Sequence, residues 1–127
     1  MDKDTPAKVL VLDDDPVFCS MIAGAANELN IQVDCFYSLL EIDLLHQKQY
    51  DAAIVDYHLG PTTGDEAAKF LSLILHGNPQ DTPIVIVSSD TNIANCTHRW
   101  PCEVQSFVSK QSGVFAILKA VVHTYNQ

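Results

Sequence analysis

Four short stretches of this chain each end on a residue equipped to handle charge. Asp13, Asp14 and Asp15 close the apolar run KVLVLD, and Asp56 closes DAAIVD. Ser88, with Ser89 beside it, closes PIVIVS, and Lys110 follows EVQSFVS. Carboxylates packed together without compensation raise one another's pKa, so such a cluster needs a cation. A hard divalent ion, Mg²⁺ or Mn²⁺, suits it, since Mg²⁺ takes oxygen ligands and retains several waters. Lys110 supplies a further positive charge that can pair with Asp56 or with phosphate oxygens. A carboxylate nucleophile in such a setting can attack phosphorus and form an aspartyl phosphate. The metal and Lys110 would neutralise the transferring group, and Ser88 can hydrogen-bond a phosphoryl oxygen.

These residues meet only if the stretches that carry them are parallel strands of one sheet. Residues 8–13, 51–56 and 83–88 are continuous apolar runs, the pattern of strands buried on both faces. IQVDCF (31–36) and EVQSFVS (103–109) complete a set of five. Asp15-Pro16 reads as an N-cap followed by proline at the first helical position. The helix it opens is predicted to turn Phe18, Ile22, Ala25, Ala26 and Leu29 inward and to stop near Asn30. Ser38-Leu39-Leu40-Glu41 matches a capping box for a second helix ending near Lys48. Thr63-Gly64-Asp65-Glu66 is another, leading a helix through Phe70, Leu71, Ile74 and Leu75. HGNPQDTP is a loop by its turn residues, and residues 90–99 make a weak helix cut off by Pro101. Ser112 can cap a last helix with Phe115, Leu118, Ala120, Val121 and Val122 inward. Alternating β and α units imply a doubly wound α/β domain, a parallel sheet with helices on both faces. In such sheets the functional crevice lies outside the carboxyl ends of the strands, where the four charged or hydroxylic stretch ends sit.

Composition narrows the function classes. Sixteen acids against seven bases give a net charge of −9, which opposes direct binding to a nucleic-acid backbone. The start MDKDTPAK lacks the apolar stretch of a signal peptide, and no run is long enough to span a membrane. The four cysteines, Cys19, Cys35, Cys96 and Cys102, show no zinc spacing. Cys19 and Cys35 read as small buried hydrophobes, and Cys96 and Cys102 as reduced thiols in a loop. The expected compartment is the cytoplasm.

The run VLVLDDDP, Asp56 within AIVDYHLG, Gly64, Ser88 within PIVIVSS and Lys110 within FVSK together resemble response regulator receiver domains. Each piece alone is weak, but five in the right order are specific. The resemblance covers one domain, residues 7–126. It implies a flavodoxin-like (βα)5 three-layer sandwich with strand order 2-1-3-4-5. It implies Asp13 and Asp14 as metal carboxylates, with Asp14 a direct ligand and Asp13 acting partly through water. It implies Asp56 as phosphoacceptor and ligand, and the backbone carbonyl of His58 as another ligand. Ser88 would be the switch hydroxyl, Phe107 the switch aromatic and Lys110 the phosphate-pairing lysine. His58 and Asp90 stand where receivers tune dephosphorylation. The implied partners are a sensor histidine kinase or histidine phosphotransfer protein and a downstream effector. The implied assembly is a monomer or a phosphorylation-dependent dimer, either stand-alone or part of a larger regulator.

Departures from the family pattern are local. Gln111 follows Lys110 where receivers usually have proline, so a trans peptide is expected there. Gly60 stands where the family usually has proline, with Pro61 one position later, and His98-Arg99-Trp100-Pro101-Cys102 replaces an Ala/Gly-rich helix end. Two other readings compete. One is a pseudo-receiver, a binding module without phosphotransfer. The other is a haloacid-dehalogenase-like phosphatase using Asp13 and Asp15 as a D-x-D pair, which leaves Asp56 unexplained. A flavin-binding flavodoxin is excluded, because an acidic loop would repel the cofactor phosphate. Asp15 is read as a helix cap, His46, His76, His98 and His123 as surface residues, and Trp100 as a loop anchor or partner contact.

Overall fold

The structure, a computed structural model, describes residues 6–38, 50–59, 62–63, 83–89 and 104–125. In chain order these form β1 (Ala7–Leu12), α1 (Pro16–Glu28), β2 (Ile31–Phe36), β3 (Ala52–Asp56) and the two-residue strands β4 (His58–Leu59) and β5 (Thr62–Thr63). Then come β6 (Ile84–Ser88), β7 (Val104–Ser109), a 3-10 turn (Lys110–Ser112) and α2 (Val114–Tyr125). The five long strands form one parallel sheet in the order β2-β1-β3-β6-β7. Counted along the chain, that is the expected 2-1-3-4-5. The predicted second helix, the one through Phe70 to Leu75, the weak helix at 90–99, and Gly64, Cys96, Trp100 and Cys102 lie outside the described residues.

The middle of the sheet, Val9 to Leu12 of β1 with β3 and β6, is buried on both faces, which is why these segments are apolar rather than alternating, while the edge strands β2 and β7 carry polar residues. Val9, Val11, Ile54, Val85 and Val87 pack on one face with Phe18, Cys19, Ile22 and Ala26 of α1 and Ile117, Leu118 and Val121 of α2. Leu10, Leu12, Val55, Ile84 and Ile86 form the opposite face with Tyr50, against which Phe36, Tyr57 and Phe107 also pack. The period-two alternation of strand side chains sets this division.

Helix α1 begins as its sequence predicts. Asp15 is extended and its Oδ1 accepts a hydrogen bond from the Val17 amide at 3.0 Å, with Pro16 following. It stops near Asn30, as expected. Leu29 is already out of helical geometry, and Asn30 takes a positive φ of 56°, a left-handed stop that asparagine tolerates. Leu29 is therefore exposed rather than inward, and Cys19 joins the buried stripe. Cys35 is half-buried rather than fully so.

The last helix also departs from expectation. Ser112 does not cap it, because residues 110–112 are taken up by the 3-10 turn. Gly113, at a φ of +93°, makes the corner, and its carbonyl accepts from the Ile117 amide at 3.1 Å. Starting at Val114, the helix turns Ile117, Leu118 and Val121 inward with Val122 packed beside them, and leaves Phe115 exposed. Thr63, expected to begin a capping box, pairs with His58 in the antiparallel β4–β5 ribbon.

Candidate functional site

Strand register explains why the site residues meet. Leu12 of β1 pairs with Val55 of β3, so the next residues, Asp13 and Asp56, are neighbours across the sheet. Asp56 pairs with Val87, which brings Ser88 alongside, and Ser88 pairs with Ser109, the residue before Lys110. One edge therefore carries Asp13, Asp56, Ser88 and Lys110 in a row. Asp14 joins them from the loop before α1, and carboxylate oxygens of Asp13, Asp14 and Asp56, one from each, lie within 4.8 Å of one another, close enough to share a metal ion.

Lys110 reaches into this group. Its Nζ stands 2.8 Å from Asp13 Oδ2 and 3.5 Å from Asp56 Oδ2. The other oxygens of the two acids meet the backbone: Asp13 Oδ1 accepts from the Asp15 amide at 3.0 Å, and Asp56 Oδ1 accepts a long 3.4 Å bond from the His58 amide. The ammonium also lies 4.5 Å from the centre of the Phe18 ring.

One lysine does not balance three acids. Burial pushes the Asp56 carboxyl up to about 6, and the charge of Asp13 adds to this, outweighing the pull of Lys110 and the His58 amide. Burial likewise raises Asp13 despite Lys110. Burial disfavours the charged form of Lys110, but its contacts with Asp13 and Asp56 overcome that and hold it protonated above the ordinary lysine value. Asp13 Oδ2 is fully buried and has no aligned hydrogen-bond donor, its charge being met by the Lys110 ammonium alone among the described residues. The excess negative charge, all on oxygen, fits a hard divalent cation.

The family profile of the response regulator receiver domain matches residues 9–122. This chain belongs to the response regulator receiver domain family. Receiver domains are signalling domains of two-component systems, and the acidic pocket described above is present in this one. Among solved structures, chemotaxis protein CheY4 of Vibrio cholerae, crystallised at low pH, is 20% identical with a TM-score of 0.78, covering 93% of this chain and 98% of that one. A signal receiver domain from a Pseudomonas fluorescens HD domain-containing protein is 16% identical with a TM-score of 0.76, covering 99% and 91%. A response regulator from Burkholderia pseudomallei, with a phosphorylated aspartic acid, calcium ion and citrate, is 20% identical with a TM-score of 0.69, covering 94% and 69%. At these identities the likeness shows the fold. No curated protein matches the sequence.

Ser88 is fully buried at the end of β6, and Phe107 is half-buried opposite Ile86 on β7. His58 is exposed, with its ring edge-on to Tyr57 at 5.0 Å between centroids. Asp90 lies outside the described residues. Asp15, the second acid of the D-x-D alternative, spends its Oδ1 on the helix cap, and the family assignment sets the phosphatase reading aside. The Gln111 peptide is trans, no cis bond occurring among the described residues, and its amide donates to Ser109 Oγ at 3.1 Å. Among the described residues no helix is long and apolar enough to cross a membrane. Sequence reasoning read Phe18 only as core; nothing in its spacing signals the contact with Lys110.

Proposed function

We propose that residues 7–126 form one receiver domain that accepts a phosphoryl group on Asp56 from a sensor histidine kinase or a histidine phosphotransfer protein. The observation that carries this reading is the Lys110 ammonium held between Asp13 and Asp56, beside a third carboxylate from Asp14. In the transfer, an Asp56 carboxylate oxygen bonds to phosphorus as the bond from phosphorus to the donor nitrogen breaks. The electron pair leaves with the donor imidazole. Lys110 pairs with the oxygens of the transferring group. Asp13, Asp14, Asp56 and the His58 carbonyl would hold Mg²⁺ or Mn²⁺, which supplies charge neutralisation for phosphoryl transfer.

The switch we assign runs through Ser88 and Phe107. Ser88 adjoins the phosphoacceptor in register, and Phe107 lies on the next strand. Recruitment of the Ser88 hydroxyl to a phosphoryl oxygen would let Phe107 repack and alter a surface read by an effector. Asp90, two residues after Ser88, would orient the water that hydrolyses the phosphoryl group, and His58 would crowd or position that water. Function in the cytoplasm, as a monomer or a phosphorylation-dependent dimer, accords with this role.

The test is mass spectrometry after incubation with acetyl phosphate and Mg²⁺. The expected result is a gain of one phosphoryl group that is absent in Asp56→Asn. No gain in the wild type, or an equal gain in Asp56→Asn, would overturn the reading.

A further inference from the structure

Lys110 is required in one place, yet its side chain is long and flexible, with a large rotamer entropy to be overcome. Its two ionic contacts are with carboxylates that a divalent cation would also use. A cation bound there competes with the ammonium for the negative charge of the same carboxylates, so these contacts would weaken when phosphoryl transfer calls on the lysine. The third neighbour of the ammonium carries no charge. The Phe18 ring lies 4.5 Å from Nζ, is itself 7% exposed, and belongs to the packed face formed by Val85, Val87, Ile117 and Leu118. Its place does not depend on the ionic contacts of Asp13 and Asp56, because Phe18 sits in the first turn of a helix started by the Asp15 cap and Pro16. An aromatic face attracts an ammonium through the ring quadrupole, most strongly where water is excluded. Lys110 is 15% exposed.

We propose that Phe18 is a positioning residue: its ring face holds the Lys110 ammonium at the pocket through a contact that persists when a divalent cation occupies the carboxylates. This rests on the functional reading above, because the contact matters only if Lys110 meets a phosphoryl group. A side chain of similar bulk without a π face would fill the core and lose this hold.

The experiment has two arms on the intact chain. In the first, the Lys110 ε-methylene protons are followed by NMR with and without Mg²⁺. In wild type they are expected upfield of ordinary lysine values, from the ring current, and to remain there with Mg²⁺. In Phe18→Leu they are expected to return to ordinary values. Wild-type signals at ordinary values, or an upfield shift lost on adding Mg²⁺, would overturn the proposal. The second arm measures phosphorylation by acetyl phosphate at saturating Mg²⁺. Phe18→Leu should be slower by roughly fivefold. Phe18→Tyr should restore the rate, and mono-, tri- and pentafluorophenylalanine at position 18 should lower it progressively at nearly constant shape. Equal rates across the fluorinated series refute the π-face role even if Phe18→Leu is unstable. A wild type that takes up no phosphoryl group would sink the functional reading, while the NMR arm still decides whether Phe18 holds Lys110.

Discussion

Replacing Asp56 by asparagine should stabilise the metal-free protein at neutral pH. Asp56 is 6% exposed, and burial together with Asp13 lifts its carboxyl from an ordinary 3.8 to about 6. Its folded-state pKa thus exceeds the unfolded one, so the fold favours the protonated acid. The corresponding stability is complete below pH 3.8 and is lost as the pH rises through about 6. Above that the penalty is constant, roughly 3 kcal/mol at 1.36 kcal/mol per pKa unit. Asparagine keeps the shape and cannot ionise, though burying its amide takes back about 1 kcal/mol. The expected gain at pH 7.5 is therefore roughly 2 kcal/mol, or about 5–10 °C in Tm for a chain of this size. Urea unfolding in EDTA between pH 4 and 8 measures it. The gain should shrink towards pH 4, and saturating Mg²⁺ should narrow or reverse it by stabilising wild type through binding. An Asp56→Asn protein less stable than wild type at pH 7.5 without metal, or a difference independent of pH, would refute the reasoning.

Lys110→Met should be destabilised by about 3–5 kcal/mol without metal, since it strands the fully buried Asp13 Oδ2. Mg²⁺ should raise its Tm more than that of wild type, as a melt with and without the ion will show. Asp14→Ala should leave metal-free stability within about 0.5 kcal/mol, because Asp14 is exposed, but should abolish the rise in Tm with Mg²⁺. Burial, with help from Cys35 and Asp13, pushes the Cys19 thiol up to about 12, above its ordinary 9.0. Its folded pKa is the higher one, so its contribution is complete below pH 9 and is lost as the pH climbs towards 12. Wild type should lose about 1 kcal/mol more than Cys19→Ala between pH 9 and 10, measured by urea unfolding. The same thiol should resist iodoacetamide at pH 8 until the chain unfolds.

That Asp13, Asp56, Ser88 and Lys110 meet was legible in the sequence because they sit at strand ends, where an apolar run stops and a charged or hydroxylic residue begins. That boundary needs no knowledge of side-chain packing. Asp13 and Asp56 become neighbours through register alone, since Leu12 faces Val55. Helix faces were less legible. Which residues of α2 turn inward depends on where its first turn starts, and the 3-10 turn of Lys110–Ser112 with Gly113 moved that start, exchanging Phe115 for Ile117. Contacts between distant segments were not legible at all: Phe18 reads as core in any periodicity, and only the folded chain brings its ring beneath Lys110.

The alternation of strand residues has a further consequence for the proposed switch. Asp13 and Asp56 continue the columns of Val11 and Ile54, on the face covered by α1 and α2, and Lys110, in the 3-10 turn beyond β7, reaches the same side, where it meets Phe18 of α1. Ser88 continues the column of Ile86, the residue paired with Phe107, on the opposite face. The proposed phosphoacceptor and the proposed switch aromatic thus lie on different sides of one sheet. A signal between them has to cross at the strand ends, where Ser88 follows Val87, the register partner of Asp56. Ser88 is the fully buried hydroxyl at that crossing. This placement favours Ser88 over the exposed Ser89 for the role, a choice that spacing alone left open.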